Sequence, residues 1–242
     1  MKSKKNKTEL GGSEIPGPKD LIPPNESIVD EALDRMSSKM NPDYIEKNFY
    51  EVIDEAMKIG YQIYLSHQGN ARDQIIGLIK KSKTKDDDLI WDTAIRFEKS
   101  ASQMRKARAG GAFELYVQKL LTKIGIPSEK PTGKLREKLN RTDLVVPNKE
   151  LASKRPDRAK FISIKTTLAE RWKQVVPEQN RGWAIYLLTL DDNIAASKAK
   201  EIDKSGIVLF VRDELKENKG LKNLNGIRKL SELPEHLLSY KK

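Results

Sequence analysis

The chain contains no cysteine, so disulfides, zinc–thiolate sites and thiol nucleophiles are excluded. It has two histidines, His67 and His236, which leaves no histidine-rich metal centre and no histidine–metal nuclease motif. Aromatic residues make up 6% of the chain, so the core must be built mostly from Leu, Ile, Val and Ala. No apolar run approaches the roughly 18 residues that a membrane helix needs. The N-terminus is Lys-rich and then Gly/Pro-rich without an apolar stretch, unlike a secretory signal. These absences suit a protein of the reducing cytoplasm that makes no membrane contact.

Positive charge is plentiful and unevenly placed. The formal net charge is +11 over 242 residues, with 33% charged and 37% hydrophobic residues, a polar but foldable composition. Between Pro131 and Arg181 there are thirteen Lys or Arg against six Asp or Glu, an excess of seven. One fifth of the sequence thus carries more than half the net charge. A clustered positive field attracts a polyanion, and nucleic acid is the leading partner.

Residues 1–26 combine a basic run, MKSKKNK, with Gly- and Pro-rich sequence, and read as a flexible tail. Residues 27–85 read as a helical region, either a DNA clamp or a dimerisation element. Asn41-Pro42 starts a helix there, and a break is expected near Gly69-Asn70. A long helix is expected from Asp88 to about Ile124, kinked or divided at Gly110-Gly111. The pattern then changes. Asp143–Val146, Phe161–Lys165, Trp183–Leu190 and Gly206–Val211 read as strands, with a helical segment at 193–203 between the last two. Gly226–Tyr240 reads as a further helix or pair of turns. The expected fold is α/β, a mixed central sheet flanked by helices over 86–242, preceded by the helical region.

Three residues in the second half can carry phosphodiester chemistry. Asp143 begins a strand after a basic loop, Lys165 closes the next strand, and Glu178 follows thirteen residues later. A hard divalent cation such as Mg²⁺ prefers carboxylate oxygens. Bound there, it polarises the phosphate and lowers the pKa of a water. A lysine beside it positions the water and stabilises developing negative charge. Strand alternation puts Ser163 and Lys165 on one face, with Ile162 and Ile164 on the other, toward a core.

The string Ser163-Ile-Lys165-Thr-Thr-Leu-Ala-Glu-Arg-Trp-Lys-Gln174 resembles the catalytic segment of type II restriction endonucleases of the EcoRII, SsoII and PspGI group, within the PD-(D/E)XK superfamily. In that group the acid two places before the lysine is lost and its role moves to a later glutamate. Here Ser163 stands in the vacated place and Glu178 where the relocated glutamate belongs. Asp143, in Arg-Thr-Asp-Leu-Val-Val-Pro, matches the first catalytic aspartate, with Thr142 replacing the motif's proline. The resemblance is strong from Asn140 to Gln179, looser over the helix upstream of them, and does not extend to residues 1–85.

It implies that Asp143 and Glu178 hold Mg²⁺, that Lys165 acts on the attacking water, and that Glu114 is a further acidic residue of the site. Asp157, eight residues before Lys165, is a rival to Asp143. The resemblance also implies that Glu170 and Arg171 read base edges in the major groove, a carboxylate accepting from cytosine and an arginine donating to guanine. Ala169 replaces an arginine of the group's reading cluster. The implied target is a short palindrome in double-stranded DNA with adjacent C and G pairs, of CCGG, CCNGG or CCWGG type. Lys173, Arg181 and Lys160 are candidate phosphate contacts, and Trp172 is expected in the core. Cutting both strands implies a two-fold homodimer without a nucleotide cofactor. Two other readings fit the same acids and lysine: a structure-directed or repair nuclease, and an inactive DNA-binding relative.

Overall fold

The computed structural model describes residues 9–10, 13–82, 86–139, 141–168, 171–174 and 182–241, with backbone alone at 9, 10, 13, 14, 171 and 174. The first part is helical. Helix α1 (Asn25–Arg35) buries Ile28, Val29, Ala32 and Leu33, a stripe at helical spacing. Asn41 caps the following short helix, accepting from the backbone N–H of Asp43 at 2.9 Å and Tyr44 at 3.4 Å, with Pro42 in its first turn. Helices α2 (Phe49–Lys81) and α3 (Asp87–Lys123) then pack on each other and on α1. Asp86 caps α3 through the Leu89 N–H at 3.0 Å, and Asp87 and Asp88 complement its N-terminal dipole.

Neither glycine site divides its helix. Helix α2 runs through Gly69-Asn70 and α3 through Gly110-Gly111. A glycine inside a helix costs only about 1 kcal/mol relative to alanine. Packing on either side, by Tyr64, Ala71 and Ile75 in α2 and by Phe97, Met104 and Phe113 in α3, outweighs it. Gly111 has a packing reason: a Cβ there would lie 3.1 Å from Asn25 Nδ2, which donates to the Arg108 carbonyl at 3.1 Å. The N-terminus of α1 can therefore lie close against α3.

The expectation of a loose tail is corrected for its described later part. Pro18–Leu21 forms a helical turn, Ile22 is buried, and Arg108 donates to the carbonyls of Pro23 at 2.5 Å and Ile22 at 3.4 Å. The apolar residues of IPGPKDLIPP, diluted by Pro and Gly in sequence, find a partner on α3.

The second part is a five-stranded mixed sheet: β1 (Leu144–Val146), β2 (Lys160–Lys165), β3 (Ala184–Thr189), β4 (Val208–Val211) and β5 (Ile227–Lys229), in that order. Strand β1 is antiparallel to β2, and the other neighbours are parallel. Helix α4 (Ala196–Lys204) connects β3 to β4. Strand β5 stands at the start of Gly226–Tyr240, where a helix or pair of turns is expected. Three residues are too few to show alternation, and Gly226 allows the close approach to Asp203 of α4 that sets the strand's entry. A short helix, Leu233–Leu237, follows.

The sheet buries both faces. Leu144, Val146, Ile162, Ile164, Tyr186 and Phe210 pack with α1–α3 in one continuous core. Val145, Phe161, Ile185, Leu187 and Leu209 face the other way, with Trp172, Trp183 and α4. The helical region and the sheet thus share a core across the boundary expected at 85/86. Among the described residues, no helix is long and apolar enough to cross a membrane.

Candidate active site

Because β1 and β2 are antiparallel, the start of β1 and the end of β2 lie at one edge of the sheet. That topology brings Asp143 to Lys165. The Asp143 N–H continues the ladder by donating to the Ile162 carbonyl at 2.8 Å. Its carboxylate Oδ2 then accepts from the Ile164 N–H at 2.7 Å and from Lys165 Nζ at 2.7 Å. Lys165 Nζ also donates to the Ile164 carbonyl at 2.9 Å. The two side chains are 12% and 16% exposed, so water screens the pair only weakly. Asp143 Oδ1 has no hydrogen-bond partner among the described residues and is left for a ligand.

The loop carrying Asp143 is held twice. Ser163, buried on β2, donates its hydroxyl to the Arg141 carbonyl, and Arg136 donates to the Thr142 carbonyl at 2.8 Å. Ser163 therefore supports the aspartate loop instead of supplying an oxygen to a cation. Glu114 approaches from α3. Its carboxyl is pushed above the usual glutamate range, first by burial and then by the negative charge of Asp143, against the opposing effects of Lys130 and Lys165. Lys130 Nζ lies 3.5 Å from Glu114 Oε2. Asp143, Lys165, Glu114 and Lys130 thus form one charged cluster at the sheet edge.

The rival Asp157 is elsewhere. It lies in the turn Pro156–Arg158 before β2 and is held by Arg155 at 2.8 and 3.1 Å. Lys160 starts β2, five residues from Lys165. At about 3.3 Å per strand residue that is roughly 17 Å from it. Its ammonium sits 5.5 Å from the Tyr186 ring centroid, so the structure does not bring Lys160 to the cluster.

Trp172 is buried with Phe161 and Trp183 in the core beneath the short turn Arg171–Gln174, as expected for a packing residue. Lys173 on the same turn is exposed, 5.7 Å from the Trp172 ring centroid. For Arg171 the backbone alone is described, and Glu170, Glu178 and Arg181 lie outside the described residues. Lys130 and Arg136 were not legible in the sequence. They come from loop and short-helix segments whose place beside the aspartate is set only by the fold.

Among the described residues, no group of three or more acidic or histidine side chains is arranged to hold a metal. The chemistry present still suits a hard cation: an unbonded Asp143 oxygen, and a neighbouring glutamate whose ionisation is hindered by burial and then by a second negative charge. A bound cation would relieve that repulsion.

The raised pKa of Glu114 has a stability consequence. A carboxyl with its folded pKa above the unfolded value stabilises the fold at low pH. That contribution is lost as pH rises through the folded pKa. Above that folded pKa, without metal, the Glu114 carboxylate is therefore a cost. Glu114→Gln is expected to raise the melting temperature in EDTA at pH 8, by about 2–4 °C for each kcal/mol relieved. The gain should vanish toward pH 4. A melting temperature that is unchanged or lowered at pH 8 would show that pairing with Lys130 outweighs the repulsion.

The family model described as EcoRII C terminal matches residues 71–225. The type II restriction enzyme SsoII of Shigella sonnei is 33% identical over 150 residues, 59% of this chain and 47% of that protein. The type II restriction enzyme EcoRII of Escherichia coli is 26% identical over 127 residues, 51% of this chain and 31% of that protein. The chain thus matches about half or less of the length of these curated relatives. Among solved structures, metal-depleted Ecl18kI in complex with uncleaved, modified DNA superposes with a TM-score of 0.76 at 24% identity, covering 92% of this chain and 80% of that one. The complex of restriction endonuclease PspGI with substrate DNA superposes with a TM-score of 0.71 at 19% identity, covering 93% and 95%. At those identities the structural likeness is one of fold.

Proposed function

This chain belongs to the EcoRII C-terminal family, and from that premise we propose that it is a type II restriction endonuclease. It hydrolyses double-stranded DNA, in the presence of Mg²⁺, at a short palindrome of CCGG, CCNGG or CCWGG type. The observation that carries this reading is the Asp143–Lys165 pair, joined at 2.7 Å at one sheet edge with Glu114 beside it. Two carboxylates and a lysine in a weakly screened site are what phosphodiester hydrolysis needs. The neighbours solved with DNA, one described as metal-depleted, support the substrate and the need for a metal.

Asp143 and Glu178 would hold the Mg²⁺, which would polarise the scissile phosphate and acidify a bound water. Lys165 is the group that holds the attacking oxygen. Two of its three N–H groups are engaged by Asp143 and Ile164, leaving the third for water or a phosphate oxygen. The same ammonium stabilises charge building on the phosphate in the transition state. Ser163 and Arg136 keep the Asp143 loop in register, so that this geometry costs little reorganisation. Glu170 and Arg171 read base edges, and Lys173 and Arg181 contact phosphates. Lys160, roughly 17 Å from Lys165 along β2, would meet a phosphate away from the scissile one. A palindrome cut on both strands calls for two sites, hence a homodimer, acting in the cytoplasm. The helical region supplies either the dimer contact or a clamp on the duplex.

Incubation of the purified protein with long unmethylated DNA, in Mg²⁺ and in EDTA, followed by sequencing of fragment ends, tests the proposal. Discrete fragments sharing a C/G-containing palindrome, formed only with Mg²⁺, are expected. Random degradation would instead indicate a structure-directed or non-specific nuclease. Binding without cleavage would indicate an inactive relative.

A further inference from the structure

The catalytic strand β2 ends at Lys165, and three residues later Leu168 turns into the stretch that precedes Arg171. Leu168 is buried, in the same core as Trp172. Its backbone N–H is donated to Asp191 Oδ2 at 2.8 Å. Asp191 follows the end of β3, the strand beside β2, where Thr189 pairs in register with Lys165. The Asp191 carboxylate is itself fixed. Its other oxygen accepts from the Asn193 N–H at 3.1 Å, and its own N–H is donated to Thr189 Oγ1 at 3.1 Å. One residue earlier, the Leu190 carbonyl accepts from Arg212 Nε at 2.8 Å, and Arg212 Nη1 lies 3.8 Å from Asp54 of α2.

We propose that Asp191 is a positioning residue for sequence recognition: it locks the backbone at Leu168, so that the residues following the catalytic strand meet the bases in fixed register with Lys165. This rests on the reading of Glu170 and Arg171 as base contacts. A bidentate contact to a base edge depends on placement within tenths of an ångström. The approach to those residues is anchored before them by Leu168 N–H on Asp191, and after them by Trp172 in the core. Only the first anchor is a hydrogen bond from a loop to a neighbouring strand end. Removing Asp191 therefore frees the register while leaving the core and the Asp143–Lys165 pair in place. Through Leu190 and Arg212 the same lock is braced against the helical region.

The test compares Asp191→Ala, Asp191→Asn and, as a control, Tyr240→Phe, which loses a single hydrogen bond to the Arg158 carbonyl. Two readouts are taken: amide hydrogen exchange over 166–174, and the ratio of cleavage rates at the preferred site and at sites altered by one base pair. Asp191→Ala should speed exchange in that peptide and lower the ratio about tenfold, within the range of one lost base contact. Asp191→Asn, whose one amide oxygen can accept from Leu168 or from Asn193 but not from both, should fall between Asp191→Ala and wild type in both. Tyr240→Phe should change neither. Full discrimination by Asp191→Ala, or an equal loss in Tyr240→Phe, would overturn the specificity role. Unchanged exchange would overturn the lock itself. Wild-type protein that cuts at no shared site would instead sink the nuclease reading and the specificity role with it, leaving the exchange result to decide the lock.

Discussion

Replacing Lys165 by alanine is expected to slow DNA cleavage by about a thousandfold or more, the scale lost when a proton-handling or charge-stabilising group is removed. DNA binding in EDTA should persist. The ammonium is placed by two acceptors, Asp143 Oδ2 and the Ile164 carbonyl, and among the described residues no other lysine lies within hydrogen-bond distance of Asp143. Lys130, another cation of the cluster, is engaged with Glu114. Asp143→Ala should be equally inactive but less stable. It leaves the Ile164 N–H without its acceptor and a weakly solvated Lys165 without its counter-charge. Breaking a buried pair from one side costs about 3–5 kcal/mol, and the residual exposure of this pair puts the loss at the lower end.

The double replacement separates the two effects. Residues that act as a unit are not additive in rate, so the double variant should cut no more slowly than either single one. It should also melt above Asp143→Ala, because no orphaned ammonium remains. Cleavage kinetics and thermal melts of the three variants decide the matter. Wild-type cleavage by either single variant would remove the pair from the active site.

How much of this could be read from the sequence depended on what each feature rests on. The strands around Phe161–Lys165 and Ala184–Thr189 were legible because both faces are buried, which leaves a dense apolar run with one polar break at Ser163. The Asp143–Lys165 pair was legible because antiparallel neighbours put a residue just before one strand beside the last residue of the next. Other features were fixed by packing across long separations. Gly69 and Gly110-Gly111 looked like breaks, but long helices packed along one side override a local cost of about 1 kcal/mol. Strand β5 is three residues long and exists because β4 offers it an edge. In sequence Asp191 is one acid in the run Leu190-Asp-Asp-Asn193, and only the parallel pairing of β2 and β3 shows what its carboxylate holds. The grouping of Lys130 with Glu114 likewise needs α3 and the β1 approach to be placed first.

Glu178→Ala carries the second large expected effect. On β2, the position two before Lys165 is Ser163, whose hydroxyl is already donated to the Arg141 carbonyl. A neutral hydroxyl committed in this way is no substitute for a carboxylate on a hard cation, which favours charged oxygen ligands. Asp143 then offers one free carboxylate oxygen, too little on its own to retain Mg²⁺ against water. A second acid must come from outside the strand. The chain holds two candidates: Glu178, by its resemblance to the relocated glutamate, and Glu114, by its place beside Asp143. Glu114 is the weaker ligand in metal-free protein, because burial and Asp143 hinder its ionisation and Lys130 competes for it. Cleavage by Glu178→Ala should therefore fall by about a thousandfold or more even at high Mg²⁺, the scale expected when the electrostatic stabilisation of a transition state is lost. Glu178→Asp should cut at a reduced rate and require more Mg²⁺ for half-maximal activity. Rates measured across a Mg²⁺ titration distinguish the outcomes. If Glu178→Ala cuts normally, the relocated-glutamate assignment fails and Glu114 becomes the leading second ligand among the described residues, a role in which its replacement by alanine would have to abolish cleavage.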